Sequence, residues 1–183
     1  MILKIVTVGN PVLRQQARPL TLEEIHTPFI KDLIIHMRDT LHDAPGVGLA
    51  APQIGQALQL TVIEDKAEYH KNISAADMAE RERAVIPFHV IINPQIELLG
   101  PLDTVYHEGC LSIPGFIAKV PRARAVRVQC LDEQGQPKTI EASGWYARIL
   151  QHEIDHLYGR LYIDHMQSDS FMTLENYQRY ANK

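Results

Sequence analysis

Residues 151–159 read QHEIDHLYG, and whether this stretch is helical decides both the fold and the chemistry. On an α-helix, residues four apart stand one above the other. His152 and His156 would then present both imidazoles to one point, with Glu153 one step round the cylinder. That is the HExxH arrangement of hydrolytic metal sites, in which the glutamate lies close enough to a bound water to take its proton. The wider segment SGWYARILQHEIDHLYG supports a helix. Ser143 is placed as N-cap, Trp145, Ile149, His152 and His156 fall on one stripe, and Gly159 stands at C′. Chance is the rival reading: with nine histidines in the chain, about 0.03 HExxH strings are expected at random.

A chain of 183 residues suits one well-buried core better than two, so residues 1–183 are read as a single domain. Hydrophobic residues at 45% and charged residues at 22% describe an ordinary globular composition. A net charge of −4 supplies no basic field for nucleic acid or an anionic membrane. The opening MILKIVTVGNPVLRQQ lacks the apolar core of a signal peptide, and no run approaches a membrane span, so the cytoplasm is the default location. Two cysteines, Cys110 and Cys130, make no disulfide framework.

Around the helix the texture is mostly extended. ILKIVTV reads as a short extended stretch. From Thr21, a capping box with Glu24 opens a long helix carrying Ile25, Phe29, Leu33, Met37 and Leu41, with Pro28 marking a kink or a later start. PGVGLAAPQIG follows as a glycine-rich loop, and LQLTVIED as a strand. Residues 65–87 form a polar insert with one short helix. FHVIINP, QIELLG, IAKVPRARAVRVQCLDE and PKTIEAS read as further strands, RLYIDHM as a short extended piece, and SFMTLENYQRYANK as a terminal helix. Strands and helices are segregated rather than alternating. The expected fold class is therefore α+β, with mostly antiparallel strands around a central HExxH metal-binding helix.

Such a site needs a third protein ligand and an open position for water. Downstream, Asp164, His165 and Glu175 stand in no recognisable spacing. Upstream, YHEGCLSIPG sets Cys110 between Gly109 and Pro114. A thiolate there completes a Cys-His-His set; the competing reading is a small buried cysteine. Cys130, inside an apolar strand, is read as the latter.

Three segments carry a resemblance. GVGLAAPQ (46–53), EGCLS (108–112) and QHEIDH (151–156) are similar, in the same order, to the three signature motifs of the peptide deformylases. The texture of GFIAKVPR and ASGWYARILQHE resembles the organellar branch and its bacterial relatives, with Ile117 where many relatives carry an arginine. The resemblance implies one divalent metal on Cys110, His152 and His156, and removal of the N-formyl group from the methionine of an N-formylmethionyl nascent peptide. It implies Fe2+ as the physiological ion; the ligand set by itself also suits Zn2+, Ni2+ or Co2+. It further implies that the Gln53 side-chain amide and the Leu111 backbone N–H stabilise the oxyanion.

Amide hydrolysis then assigns Glu153 as general base and later general acid. Gly46 and Gly48 let the backbone run close to substrate. An apolar pocket for methionine draws its candidates from Val47, Trp145 and Ile149. Glu108 and Asp155 are expected to orient the ligands or to tie the helix to a neighbouring strand, through Arg122. A ribosome contact near the exit tunnel and a monomeric or homodimeric state are the partner expectations, with no nucleic acid and no membrane. Two rivals stay open: an HExxH metallopeptidase with no part for Cys110, and an inactive metal-stabilised binding module.

Overall fold

The computed structural model describes residues 1–180. The first helical region is broken in two. Thr21 and Glu24 do form a reciprocal capping box, but it opens a single turn, α1 (Leu22–Ile25). A second helix, α2 (Pro28–Asp43), starts afresh with Thr27 as N-cap, whose hydroxyl accepts from the Ile30 N–H at 3.4 Å. Pro28 is the cause: at the first helical position its missing N–H costs nothing, whereas inside a continuous helix it breaks the ladder. The restart turns the apolar stripe. Ile30, Leu33, Ile34, Met37 and Leu41 are buried, while Phe29, expected on that stripe, is 59% exposed.

In chain order the strands are β1 (Gly48–Ala50), β2 (Leu60–Asp65), β3 (Ile86–Leu98), β4 (Leu102–Cys110), β5 (Ile113–Ala123), β6 (Ala125–Leu131), β7 (Pro137–Ser143) and β8 (Met172–Thr173). One antiparallel sheet has the order β1-β2-β3-β6-β7 and the other β4-β5-β8. Between β2 and β3 lies α3 (Ala75–Glu80). The HExxH helix is α4 (Gly144–Leu157), and α5 (Leu174–Tyr180) follows β8. The fold is α+β, with mostly antiparallel strands about α4.

Several local expectations shift. The stretch ILKIVTV joins neither sheet; its Val6 N–H donates to the Gln53 carbonyl and its Val8 N–H to the Ser112 carbonyl, both at 2.8 Å, so it ties two motif loops together. PGVGLAAPQIG contains β1 and a 3₁₀ turn over Ala51–Ile54. FHVIINP and QIELLG are one strand, bent where Asn93 takes φ 50°. IAKVPRARAVRVQCLDE divides between the two sheets as β5 and β6. RLYIDHM makes a 3₁₀ turn over Tyr162–Asp164 rather than an extended piece. The terminal helix is shorter than expected over the described residues, and its last three positions lie outside them.

β1, β2 and the middle of β3 are covered on both faces, which explains their nearly continuous apolar runs, whereas β6 and β7 alternate. Leu60, Val62, Val90 and Ile92 pack with α2, while the alternate residues Ile63 and Ile91 pack with Ala147, Leu150 and Ile154 of α4. The other side of α4 meets the second sheet through Arg148, His152 and Asp155. A buried helix wedged between two sheets is thus the platform for the site.

Candidate metal centre

Cys110 is the last residue of β4, just before the tight turn into β5, and His152 and His156 stand one turn apart on α4. Ligand atoms from these three residues all lie within 4.8 Å of one another, and Cys110 Sγ is 3.4 Å from His156 Nε2. A tetrahedral ion with metal–sulfur and metal–nitrogen bonds of about 2.3 and 2.0–2.1 Å sets such atoms roughly 3.5 Å apart. The donors are therefore already spaced to hold a cation. Burial alone would raise the Cys110 thiol, yet the two imidazoles bring it well below the usual thiol range. Two of the downstream residues set aside for want of spacing are engaged elsewhere: Asp164 accepts from Arg14, and His165 Nε2 lies 3.3 Å from Asp155.

A charged network behind the ligands fixes their orientation. Glu108 accepts from His152 Nδ1 at 2.9 Å, which leaves His152 Nε2 for a metal. The same carboxylate accepts two bonds of 3.0 Å from Arg122 and one of 2.6 Å from Arg148. Burial pushes the Glu108 carboxyl up, but the His152 hydrogen bond and the Arg122 charge outweigh it and hold the group well below the usual carboxylate range. Arg122 also donates to Asp155. The expected Glu108–Arg122–Asp155 link is thus present, and Arg148 joins it. Cys130, by contrast, is buried in β6.

Glu153 is 4% exposed, and burial raises its carboxyl above the usual range. Its side chain lies flat on β1, where only a glycine leaves room. A Cβ added at Gly48 would stand 2.5 Å from the Glu153 carboxyl carbon and 2.7 Å from Cγ. Gln53 is equally enclosed. Its Oε1 accepts from the Ala50 N–H at 2.9 Å, which turns its NH2 toward Cys110 Sγ at 3.5 Å and Ser112 Oγ at 3.2 Å.

Val47, Gly48, Gln53, Cys110, Leu111, Trp145, Ile149, His152 and Glu153 line one cleft of about 620 Å³, and His156 is buried just behind it. Of the anticipated residues, His156, Asp155 and Arg122 stand behind the cleft rather than in its lining. Thr61, Ser112 and Arg148 were not anticipated. Thr61 Oγ1 donates to the Leu49 carbonyl at 3.1 Å and reaches Glu153 Oε2 at 3.4 Å. The two-residue period of LQLTVIED, which puts Thr61 on the same face as Ile63, is the signal that could have found it. Arg148 carried only its place four residues before His152 on α4.

A protein-family model described as polypeptide deformylase matches residues 2–171. The chain is 44% identical over 172 residues to "Peptide deformylase 1A, chloroplastic" of Solanum lycopersicum, covering 94% of this chain and 62% of that protein. It is 43% identical over 173 residues to "Peptide deformylase 3" of Streptomyces avermitilis, covering 94% and 75%. Among solved structures, the Met-Ala-Ser-bound class I type b peptide deformylase of Acinetobacter baumannii is similar at 29% identity with a TM-score of 0.78, over 90% of this chain and 99% of that one.

Proposed function

This chain belongs to the polypeptide deformylase family, and on that premise we propose that it is a metal-dependent hydrolase removing the N-formyl group from the N-terminal methionine of nascent polypeptides, with release of formate. The observation that carries the reading is the triad of Cys110, His152 and His156, set beside a buried Glu153 and the Gln53 amide in one cleft. When bound there, a divalent cation supplies a Lewis acid that acidifies water and polarises a carbonyl.

The chain's own residues do the rest. Glu153 takes a proton from the attacking water as the new carbon–oxygen bond forms at the formyl carbon. As the carbon–nitrogen bond breaks, Glu153 returns the proton to the departing amine, so formate and a free N-terminus result. The Gln53 NH2 group, held by Ala50, and the Leu111 N–H stabilise negative charge on the formyl oxygen. Val47, Trp145 and Ile149 receive the methionine side chain. Gly48 lets Glu153 lie close to the substrate. The relative that holds Met-Ala-Ser supports a methionine at this position.

We assign Fe2+ as the physiological ion, with Zn2+, Ni2+ and Co2+ as replacements the donor set also accepts. We place the activity in the cytoplasm, on chains leaving the ribosomal exit tunnel. No helix among the described residues is long and apolar enough to cross a membrane. The test is formate release from an N-formylmethionyl tripeptide by protein purified without oxygen and loaded with Fe2+. Release that vanishes in Glu153→Ala establishes reaction and base together, whereas none from folded, metal-loaded protein refutes the assignment.

A further inference from the structure

The segment between β2 and β3 has no part in the chemistry above. It leaves β2 at Asp65, makes a 3₁₀ turn (Ala67–His70) and α3, and returns through Arg81, Glu82 and Arg83. Its return runs to the start of α4. The Trp145 N–H donates to the Arg81 carbonyl at 2.7 Å. Gly144 has φ +59°, and a Cβ there would stand 2.5 Å from the same carbonyl oxygen. Ser143, although at the N-cap position, makes no side-chain cap; its hydroxyl donates to Glu82 at 2.6 Å. The segment thus satisfies a helix-start N–H that Ser143 leaves to it.

The side chains repeat the grip. Arg83 lines the cleft, with its Cζ 5.0 Å from the centroid of the Trp145 ring, and Arg81 Cζ lies 5.5 Å from the same ring. Arg83 donates to both oxygens of Asp65, at 2.8 and 2.9 Å, and the Asp65 side chain is fully buried with His70 Nε2 at 3.0 Å. A planar guanidinium can give its edge to a carboxylate while its face covers an aromatic ring. Neutralised in this way, it can border an apolar cleft. Trp145 in turn stands on the stripe of α4 that continues to Ile149, His152 and Glu153.

We propose that Arg83, oriented by Asp65, is a positioning residue that fixes the Trp145 ring, and that this clamp sets the pocket for the side chain of the substrate's first residue. The naming of that side chain rests on the deformylase reading; the clamp does not. Loosening it weakens substrate binding and selectivity rather than proton transfer, because the hydrogen bonds of Arg83 go to Asp65 and not to Glu153 or the metal ligands.

Trp145 is the chain's one tryptophan, so its emission reports the ring's surroundings directly. In metal-loaded Arg83→Ala, the emission shifts, and KM for an N-formylmethionyl tripeptide rises about three- to tenfold while kcat stays within about twofold. The preference for formylmethionyl over formylalanyl peptides narrows, and metal content is unchanged. Arg83→Lys, which keeps the cation but not the fork, recovers part of the KM. It also serves as the test if the alanine variant does not fold. Unchanged emission and KM in either folded variant overturns the proposal, as does a fall in kcat alone. If wild-type protein releases no formate, the activity reading fails by itself; the clamp is then judged by titrating Trp145 emission with the tripeptide Met-Ala-Ser. Equal affinity in wild type and Arg83→Ala overturns it, and weaker binding in the variant upholds it.

Discussion

Gly48 and Glu153 are packed so closely that no Cβ fits between them, since one added at residue 48 would stand 2.5 Å from the Glu153 carboxyl carbon. The strand β1 therefore serves as a template against which the proposed proton carrier lies. Gly48→Ala pushes the carboxylate off this surface while leaving the three ligands in place. The expected result is a fall of about 100-fold in formate release per bound metal, in protein of wild-type metal content whose stability is lowered by about 1–3 kcal/mol through overpacking. A wild-type rate in that variant would show that Glu153 works from some other position.

Glu108 balances two buried guanidinium groups and orients a ligand at once. Glu108→Gln keeps the shape and removes the charge, leaving Arg148 without a carboxylate and Arg122 with Asp155 alone. Breaking a buried pair in this way costs about 3–5 kcal/mol, and losing a carboxylate behind a ligating histidine weakens metal binding about 10- to 100-fold. Chemical denaturation and metal titration read the two effects separately. A stability change under 1 kcal/mol would mean that the arginines find solvent instead.

Cys110 decides between the deformylase reading and an HExxH metallopeptidase. Cys110→Ser is expected to lose most of its bound metal after dialysis, by elemental analysis, and with it formate release. Retention of metal together with cleavage of an unformylated peptide would favour the metallopeptidase.

His89 supplies a pH dependence away from the metal. Its Nδ1–H donates to the Pro87 carbonyl at 2.8 Å, and its Nε2 lies 2.8 Å from the Tyr146 hydroxyl. Burial lowers the His89 pKa below the usual value and pushes the Tyr146 hydroxyl up to about 12, so Tyr146 remains a donor. With the folded value depressed, the stabilisation is full above about pH 6.5 and is lost as pH falls through the folded value. Wild type should exceed His89→Gln in unfolding free energy at about pH 8 by more than at about pH 5. An equal gap at both would show that the ring titrates normally.

The helix and its ligands were legible because a four-residue repeat of imidazoles has one geometric meaning, and α4 fulfils it. Other features carried no such periodicity. β4 escaped notice because LDTVYHEGC has no clean alternation of apolar and polar residues: one of its faces is turned to buried charge rather than to a greasy core. Phe29 was misplaced because a repeat of four drifts against a helix of 3.6 residues per turn, and the restart at Pro28 moved burial onto Ile30. The bond between Asp65 and Arg83 joins residues with no continuous helix or strand between them, so neither repeat relates them and only the folded chain displays it.

The order of the ligands along the chain has a consequence in time. Cys110 and His156 are 46 residues apart, and both histidines sit on a helix made late, after seven of the eight strands among the described residues. At translation speeds of about 5–20 residues per second, roughly two to nine seconds separate synthesis of the thiol from that of the last imidazole. During that interval Cys110 has no imidazole partner and Gly48 has no carboxylate to receive. A chain arrested before α4 would therefore be more than a slower enzyme: it would carry an unguarded thiol, two sheets with no wedge between them, and no imidazole pair for the proposed ion.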